Sequence, residues 1–171
     1  MTEDGDLGAL AGRYETDNGR RGRHALVLLL LGLVVTPVSV ILVLPAYGNS
    51  LVGDDVLPSV LLGCGGGLLL MGAWQGVLFL TRAGEAFELY EHGLVQVYGG
   101  KRRVARWDDV TGITDNGKDT ALARALGGNV NVQVKLAQGR GVVITGLTED
   151  AEHLALAVRR AVEDGARPTP A

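Results

Sequence analysis

Few residues in this chain are able to do chemistry, and their positions limit what that chemistry can be. Between positions 81 and 171 there is no Ser and no Cys. Ser39, Ser50, Ser59 and the single cysteine, Cys64, all fall in a long, mostly apolar region upstream. A Ser or Cys nucleophile beside a base on the polar part is therefore excluded by inventory. Two histidines, His92 and His153, belong to the polar part, and neither has neighbours at metal-ligand spacing. Asp108 and Asp109 are adjacent, so on a strand they point to opposite faces and cannot easily cooperate as acid and base. A polar turn is the simpler expectation for them. Gly99-Gly100-Lys101 lacks the spacing and the following Ser or Thr of a phosphate loop. No catalytic residue, metal site or cofactor is expected, and the chain reads as a non-enzyme.

One charged constellation remains. Lys101, Arg102, Arg103 and Arg106 place four positive charges within six residues, at a turn. Beside an anionic bilayer each such group contributes about 1 kcal/mol. The alternative is a solvated hairpin with arginines paired to Glu88, Glu91 or Asp108, where exposed pairs contribute little. Nucleic acid is not an expected partner. The net charge is −3 and the pI about 5.6, and residues 81–171 carry twelve Lys/Arg against twelve Asp/Glu.

The elements that must carry these residues follow from composition. The 171 residues are 47% hydrophobic but only 5% aromatic, with a mean hydropathy of +0.21. The apolar excess is concentrated in two charge-free runs, Ala25 to Leu44 and Leu57 to Leu80, of 20 and 24 residues. A membrane span needs roughly 20 apolar residues, so both are long enough. The first is too long for the apolar core of a signal peptide and no Ala-x-Ala site follows it. A transmembrane hairpin over 24–81 is expected, with spans at about 25–44 and 57–80. Arg20, Arg21 and Arg23 precede it, and Arg82 with Lys101, Arg102 and Arg103 follow, whereas the connection 45–56 carries Asp54 and Asp55 and no Lys or Arg. Basic flanks stay in the cytoplasm. The expected location is the inner cell membrane, multi-pass, with both termini cytoplasmic. Neither span holds an ionisable residue of the kind ion and proton pathways need.

The spans are rich in small residues. Gly65, Gly72 and Gly76 form one helical stripe, and Gly32, Thr36 and Ser39 another on the first span. Such stripes let helix backbones approach closely in lipid, so these are expected to pack the hairpin on itself. Gly63 and Gly67 form a GxxxG on a different face and offer a contact to another copy or another membrane protein. Pro37 is expected to kink the first span.

Residues 1–23 are polar, with Leu7, Leu10 and Tyr14 at helical spacing, and are expected to be a disordered tail. Residues 82–165 alternate mostly with period two. Phe87 and Leu89 share one face, and His92-Gly93 and Gly99-Gly100 mark turns. Val104 and Trp107 have opposite parity and would both reach a core only across a bulge. Asp119 is expected to cap a short helix 120–126 ended by Gly127. Val130, Val132, Val134 and Leu136 form the clearest half-buried strand, and Val142 to Leu147 pairs back on it. Thr148 is expected to cap a final helix with Leu154, Val158, Ala161 and Val162 on its inner face. Gly165 and Pro168 end it, leaving 166–171 as a disordered tail. The fold class is α+β: a two-helix transmembrane hairpin followed by a small pleckstrin-homology (PH)-like antiparallel β-roll capped by a C-terminal helix.

The run Phe87-Glu88-Leu89-Tyr90-Glu91-His92-Gly93-Leu94, then Arg103-Val104-Ala105-Arg106-Trp107-Asp108-Asp109-Val110, then an alternating strand and a helix opening at Leu147-Thr148, resembles an uncharacterised bacterial family of membrane-anchored PH-like domain proteins. Its strongest motif is Tyr-x-x-Gly-Leu followed by Trp-Asp-Asp-Val, and Leu7-Gly8 before the first span resembles the family as well. The resemblance implies fold and anchoring but no activity. The expected function is a non-catalytic inner-membrane protein whose cytoplasmic domain binds a protein partner or anionic lipid headgroups. The alternative is a structural or assembly subunit that uses the Gly-rich hairpin as its interaction surface.

Overall fold

The computed structural model describes residues 7–48 and 56–170, with side chains from 7 to 44 and 59 to 170. The chain divides into two compact units, one built from residues 1–18 together with 82–171 and the other from 19–81. The helical unit is thus an insertion within the β unit. The expected tail contains strand β1 (Leu10–Glu15), which pairs antiparallel with β2 (Ala86–Tyr90) from Glu15 opposite Ala86 to Leu10 opposite Tyr90. This corrects the expectation of a disordered tail for residues 10–23; residues 1–6 of that tail lie outside the described residues. Its segment is polar because its outward residues, Arg13 and Glu15, face water while Leu7 and Tyr14 pack inward.

In the helical unit, α1 (Asn18–Gly48) and α2 (Val56–Thr81) are both long and apolar enough to cross a membrane. Helix α1 begins before the apolar run, so Arg20, Arg21 and Arg23 lie in its first turns, and it continues through Pro37. Most of the acidic connection expected at 45–56 lies outside the described residues. The helices run antiparallel. A Cβ at Gly22 would meet Phe79, at Gly32 Leu69, at Gly65 Thr36 and at Gly72 Leu29. Large side chains such as Leu33, Ile41, Leu70 and Leu80 are 65–76% exposed, an apolar surface of the kind that marks contact with a membrane or another protein.

The β unit holds two antiparallel sheets. The first has the order β1-β2-β3-β4, with β3 at Gly93–Tyr98 and β4 at Lys101–Arg106. Glu91 and His92 join β2 to β3, and Gly99-Gly100 join β3 to β4. Both glycines have positive φ, 51° and 74°, as a two-residue hairpin turn of matching twist requires. A short 3-10 turn, Trp107–Asp109, leads into the second sheet, order β5-β6-β7: Val110–Asp115, Asn131–Leu136 and Val142–Thr145. Trp107 packs against the core beside Ala105 of the same parity while Val104 faces the other side, so β3 and β4 pair in unbroken register and no bulge is needed. Helix α3 (Ala121–Leu126) is capped by the Thr120 hydroxyl rather than by Asp119, which pairs with Arg124. Gly127 ends it at φ 75°.

The core joins both sheets and α4 (Ala151–Glu163). Phe87, Leu89, Leu94, Ala105, Val132, Val134, Val142, Ile144, Leu154 and Val158 form it, with Ala151 on the same side of α4. Thr148 does not cap α4. It is buried, its hydroxyl 3.2 Å from that of Thr16, and the capping position falls to Asp150 in a left-handed conformation. A small polar residue there joins the N-terminal segment to the second sheet, because Thr16 and Thr148 form a β-bridge.

Candidate functional site

The most developed polar cluster lies where the chain leaves and re-enters the β unit. Leaving, Thr16 N–H donates to the Glu85 carbonyl at 2.9 Å and Asp17 N–H to the Leu147 carbonyl at 2.9 Å. Returning, Glu85 N–H donates to the Arg82 carbonyl at 3.2 Å. Gly99 N–H, in the β3–β4 turn, donates to the Ala83 carbonyl at 2.9 Å. The basic turn is therefore tied to a residue only two positions beyond the end of α2.

Side chains build on this frame. Glu85 is 3% exposed and accepts from Gln96 Nε2 at 2.6 Å and from Arg82 Nη1 at 3.0 Å. Gln96, also buried, has the inward parity of Leu94, and a buried amide there needs such a partner. Next to it the Tyr98 ring has two guanidiniums within cation–π range, Arg82 at 5.9 Å and Arg103 at 5.6 Å from its centroid. Arg103 also donates to the Tyr98 hydroxyl at 2.8 Å and to the Gly141 carbonyl at 3.3 Å. Lys101 is exposed at the turn.

The four expected basic residues are not one patch. Arg102 turns to the other face of the sheet and binds Glu88 at 3.1 Å, where Arg13 (3.3 Å) and the Tyr90 hydroxyl (3.3 Å) also converge. Burial and the nearby Glu88 carboxylate raise the Tyr90 pKa above its ordinary value. Arg106 pairs across from Gly93, at the far end of β4 from Lys101, a separation of about 17 Å for five strand residues. Arg82, expected only as a flanking charge, joins Arg103 and Lys101 instead. Its signal in the sequence was its position: it opens the polar unit, and the β3–β4 turn returns to the same end of the sheet.

The glycines also divide. Gly65 and Gly72 are buried between the helices, whereas a Cβ at Gly63, Gly67 or Gly76 would meet nothing within 4 Å. Gly76 is thus not part of the packed stripe, and Gly32 of the first-span stripe packs against Leu69. Among the described residues no group of three or more His, Cys, Asp or Glu is arranged to hold a metal. His92 lies in the β2–β3 turn and His153 on α4 beside Tyr14, whose pKa is raised by burial and by Asp150. Asp108 and Asp109 lie in the 3-10 turn. The residues of the Tyr-x-x-Gly-Leu and Trp-Asp-Asp-Val runs have structural contacts. Trp107 Nε1 donates to the Glu91 carbonyl at 3.1 Å, and a Cβ at Gly93 would lie 2.7 Å from the Ala105 carbonyl. Compared with protein-family models, with curated proteins and with solved structures, the chain has no match in any of the three.

Proposed function

We propose that this chain is a non-catalytic protein of the inner cell membrane, multi-pass with both termini cytoplasmic. Its PH-like domain rests on the inner leaflet and contacts anionic lipid headgroups through Arg82, Lys101 and Arg103, leaving the sheet edges for a protein partner. The observation that carries this reading is the Gly99–Ala83 hydrogen bond, which holds the basic turn two residues from the end of an apolar helix. Arg82 is paired with Glu85, so Lys101 and Arg103 near an anionic surface contribute about 2 kcal/mol. Tyr98 beside two arginines suits the headgroup level, where aromatic rings and long cationic side chains are favoured. The β1–β2 pairing supports the hairpin topology, because β1 precedes α1 and β2 follows α2, so both must lie on one side of the bilayer. The arrangement of four strands, three strands and a closing helix supports the PH-like reading.

The test is hydrogen exchange on the full chain in nanodiscs of phosphatidylglycerol or of phosphatidylcholine. Amides of residues 98–102 are expected to exchange more slowly in the anionic discs, and the difference to disappear in Lys101→Gln with Arg82→Gln. Arg106→Gln is expected to keep it. Equal exchange in the two lipids would overturn the headgroup contact.

A second reading rests on Gly63 and Gly67, which are exposed on a face that α1 does not cover. In this reading the hairpin is the docking surface of an assembly subunit or homo-oligomer. Gly63→Ile with Gly67→Ile should then abolish a crosslinked species in membranes, and an unchanged pattern would exclude it.

A further inference from the structure

The C-terminal tail is not a loose end. After α4, Gly165 takes φ 65° and Ala166 N–H donates to the Arg160 carbonyl at 3.2 Å, which turns the chain back along the helix. Arg167 then approaches Glu91 at 3.7 Å. The tail through Pro170 thereby borders a cavity of about 470 Å³, completed by β1, β2 and α4.

The lining has a definite chemistry. Leu89 and Ala157 supply apolar wall, and the Tyr14 hydroxyl lies 2.9 Å from His153 Nδ1 at the polar side. Arg160 and Arg167 are the charged groups, and among the described residues no Asp or Glu lines the space. The Arg160 guanidinium has no ion pair or side-chain hydrogen bond among the described residues. The Arg167–Glu91 contact is long and exposed, so it holds Arg167 weakly. A pocket of this size, mostly apolar with a few convergent polar groups, fits a small organic ligand, and guanidinium favours a planar carboxylate.

We propose that this cavity binds a small organic carboxylate with an apolar body, its carboxylate on Arg160 and Arg167, with the tail closing over it. The site is separate from the basic turn and independent of lipid contact.

The experiment uses the full chain in phosphatidylcholine nanodiscs, with 2-naphthoate as probe and saturation-transfer NMR as readout, corrected by empty discs. Saturable binding is expected, with neutral 2-naphthamide binding at least tenfold more weakly. Arg160→Gln should weaken naphthoate about tenfold, and Ala157→Leu, which fills the space, should abolish binding. Arg106→Gln should bind as the unaltered chain does. Thermal unfolding of each variant establishes that the fold is retained. Absence of saturable binding, equal binding of acid and amide, or unchanged affinity in folded Arg160→Gln would each overturn the proposal.

Discussion

Replacing Leu7 by Ala tests whether the N-terminal segment belongs to the core. Leu7 is fully buried, and its carbonyl accepts the His92 N–H at 2.9 Å. A Cβ at Gly93 would lie 3.0 Å from Leu7 Cδ2, so the side chain fills the space that the glycine leaves. Truncating a buried leucine costs about 2–5 kcal/mol. With about 3 kcal/mol lost and a urea dependence of about 2 kcal/mol/M for a domain of this size, the midpoint should fall by about 1.5 M. The assay is urea unfolding of the full chain in nanodiscs, followed by Trp107 fluorescence in a Trp74→Phe background. Trp107 reports on this region because its indole is bonded to the Glu91 carbonyl. Leu10→Ala is the control: Leu10 is 46% exposed, and its loss should cost under about 0.5 kcal/mol, or about 0.25 M. If both variants shift the midpoint by the same small amount, the N-terminal segment is not part of the folded unit and the account of β1 fails.

Glycine substitutions in the hairpin should separate in the same way. A Cβ at Gly72 would lie 2.9 Å from the backbone nitrogen of Leu29, so Gly72→Leu should destabilise the detergent-solubilised protein by about 1–3 kcal/mol, whereas Gly63→Leu should leave its melting temperature unchanged. Glu85→Ala removes the carboxylate to which buried Gln96 is bonded and should cost about 1–3 kcal/mol in the urea assay; a silent variant would contradict the cluster. Tyr14 and Tyr90 have folded pKa values above the ordinary 10, so their contribution to stability is complete below about pH 10 and is lost as pH rises through the raised values. Absorbance at 295 nm should show phenolate forming late, and Tyr14→Phe should reduce that late component.

Period-two alternation located β2, β3, β6 and β7 in the sequence, and length and hydropathy located both long apolar helices, because each signal is local. Strand β1 carries no comparable local signal. Only six residues long, with Gly12 at an inward position and charges at Arg13 and Glu15, it becomes a strand through pairing with residues about 75 positions away. The basic cluster was legible as composition but not as geometry. Alternation along β4 sends Arg102 and Arg103 to opposite faces, and strand length carries Arg106 to the other end. Arg82 with Glu85 and Gln96 with Tyr98 are each locally spaced, but the two pairs become one cluster only once β2 and β3 are paired.

The insertion also explains how so short a strand can be held. Glu15 and Ala86 are paired partners separated by about 70 residues. Closing an unstructured loop of that length costs about 4 kcal/mol, comparable with the whole gain from docking one short strand. Antiparallel packing of α1 on α2, through contacts such as Gly32 with Leu69 and Gly72 with Leu29, removes most of that cost, because packed helices hold the two ends of the insertion roughly a helix spacing apart. Strand β1 then meets β2 as if across a short connection. Hairpin packing and β1 docking are therefore coupled through the chain, with no contact required between the two units. Gly72→Leu should accordingly speed amide exchange in residues 10–15 while leaving β6 and β7 unaffected, since their register does not pass through the insertion. Unchanged exchange in β1 when the helices are forced apart would mean that the strand is held by its own hydrogen bonds alone.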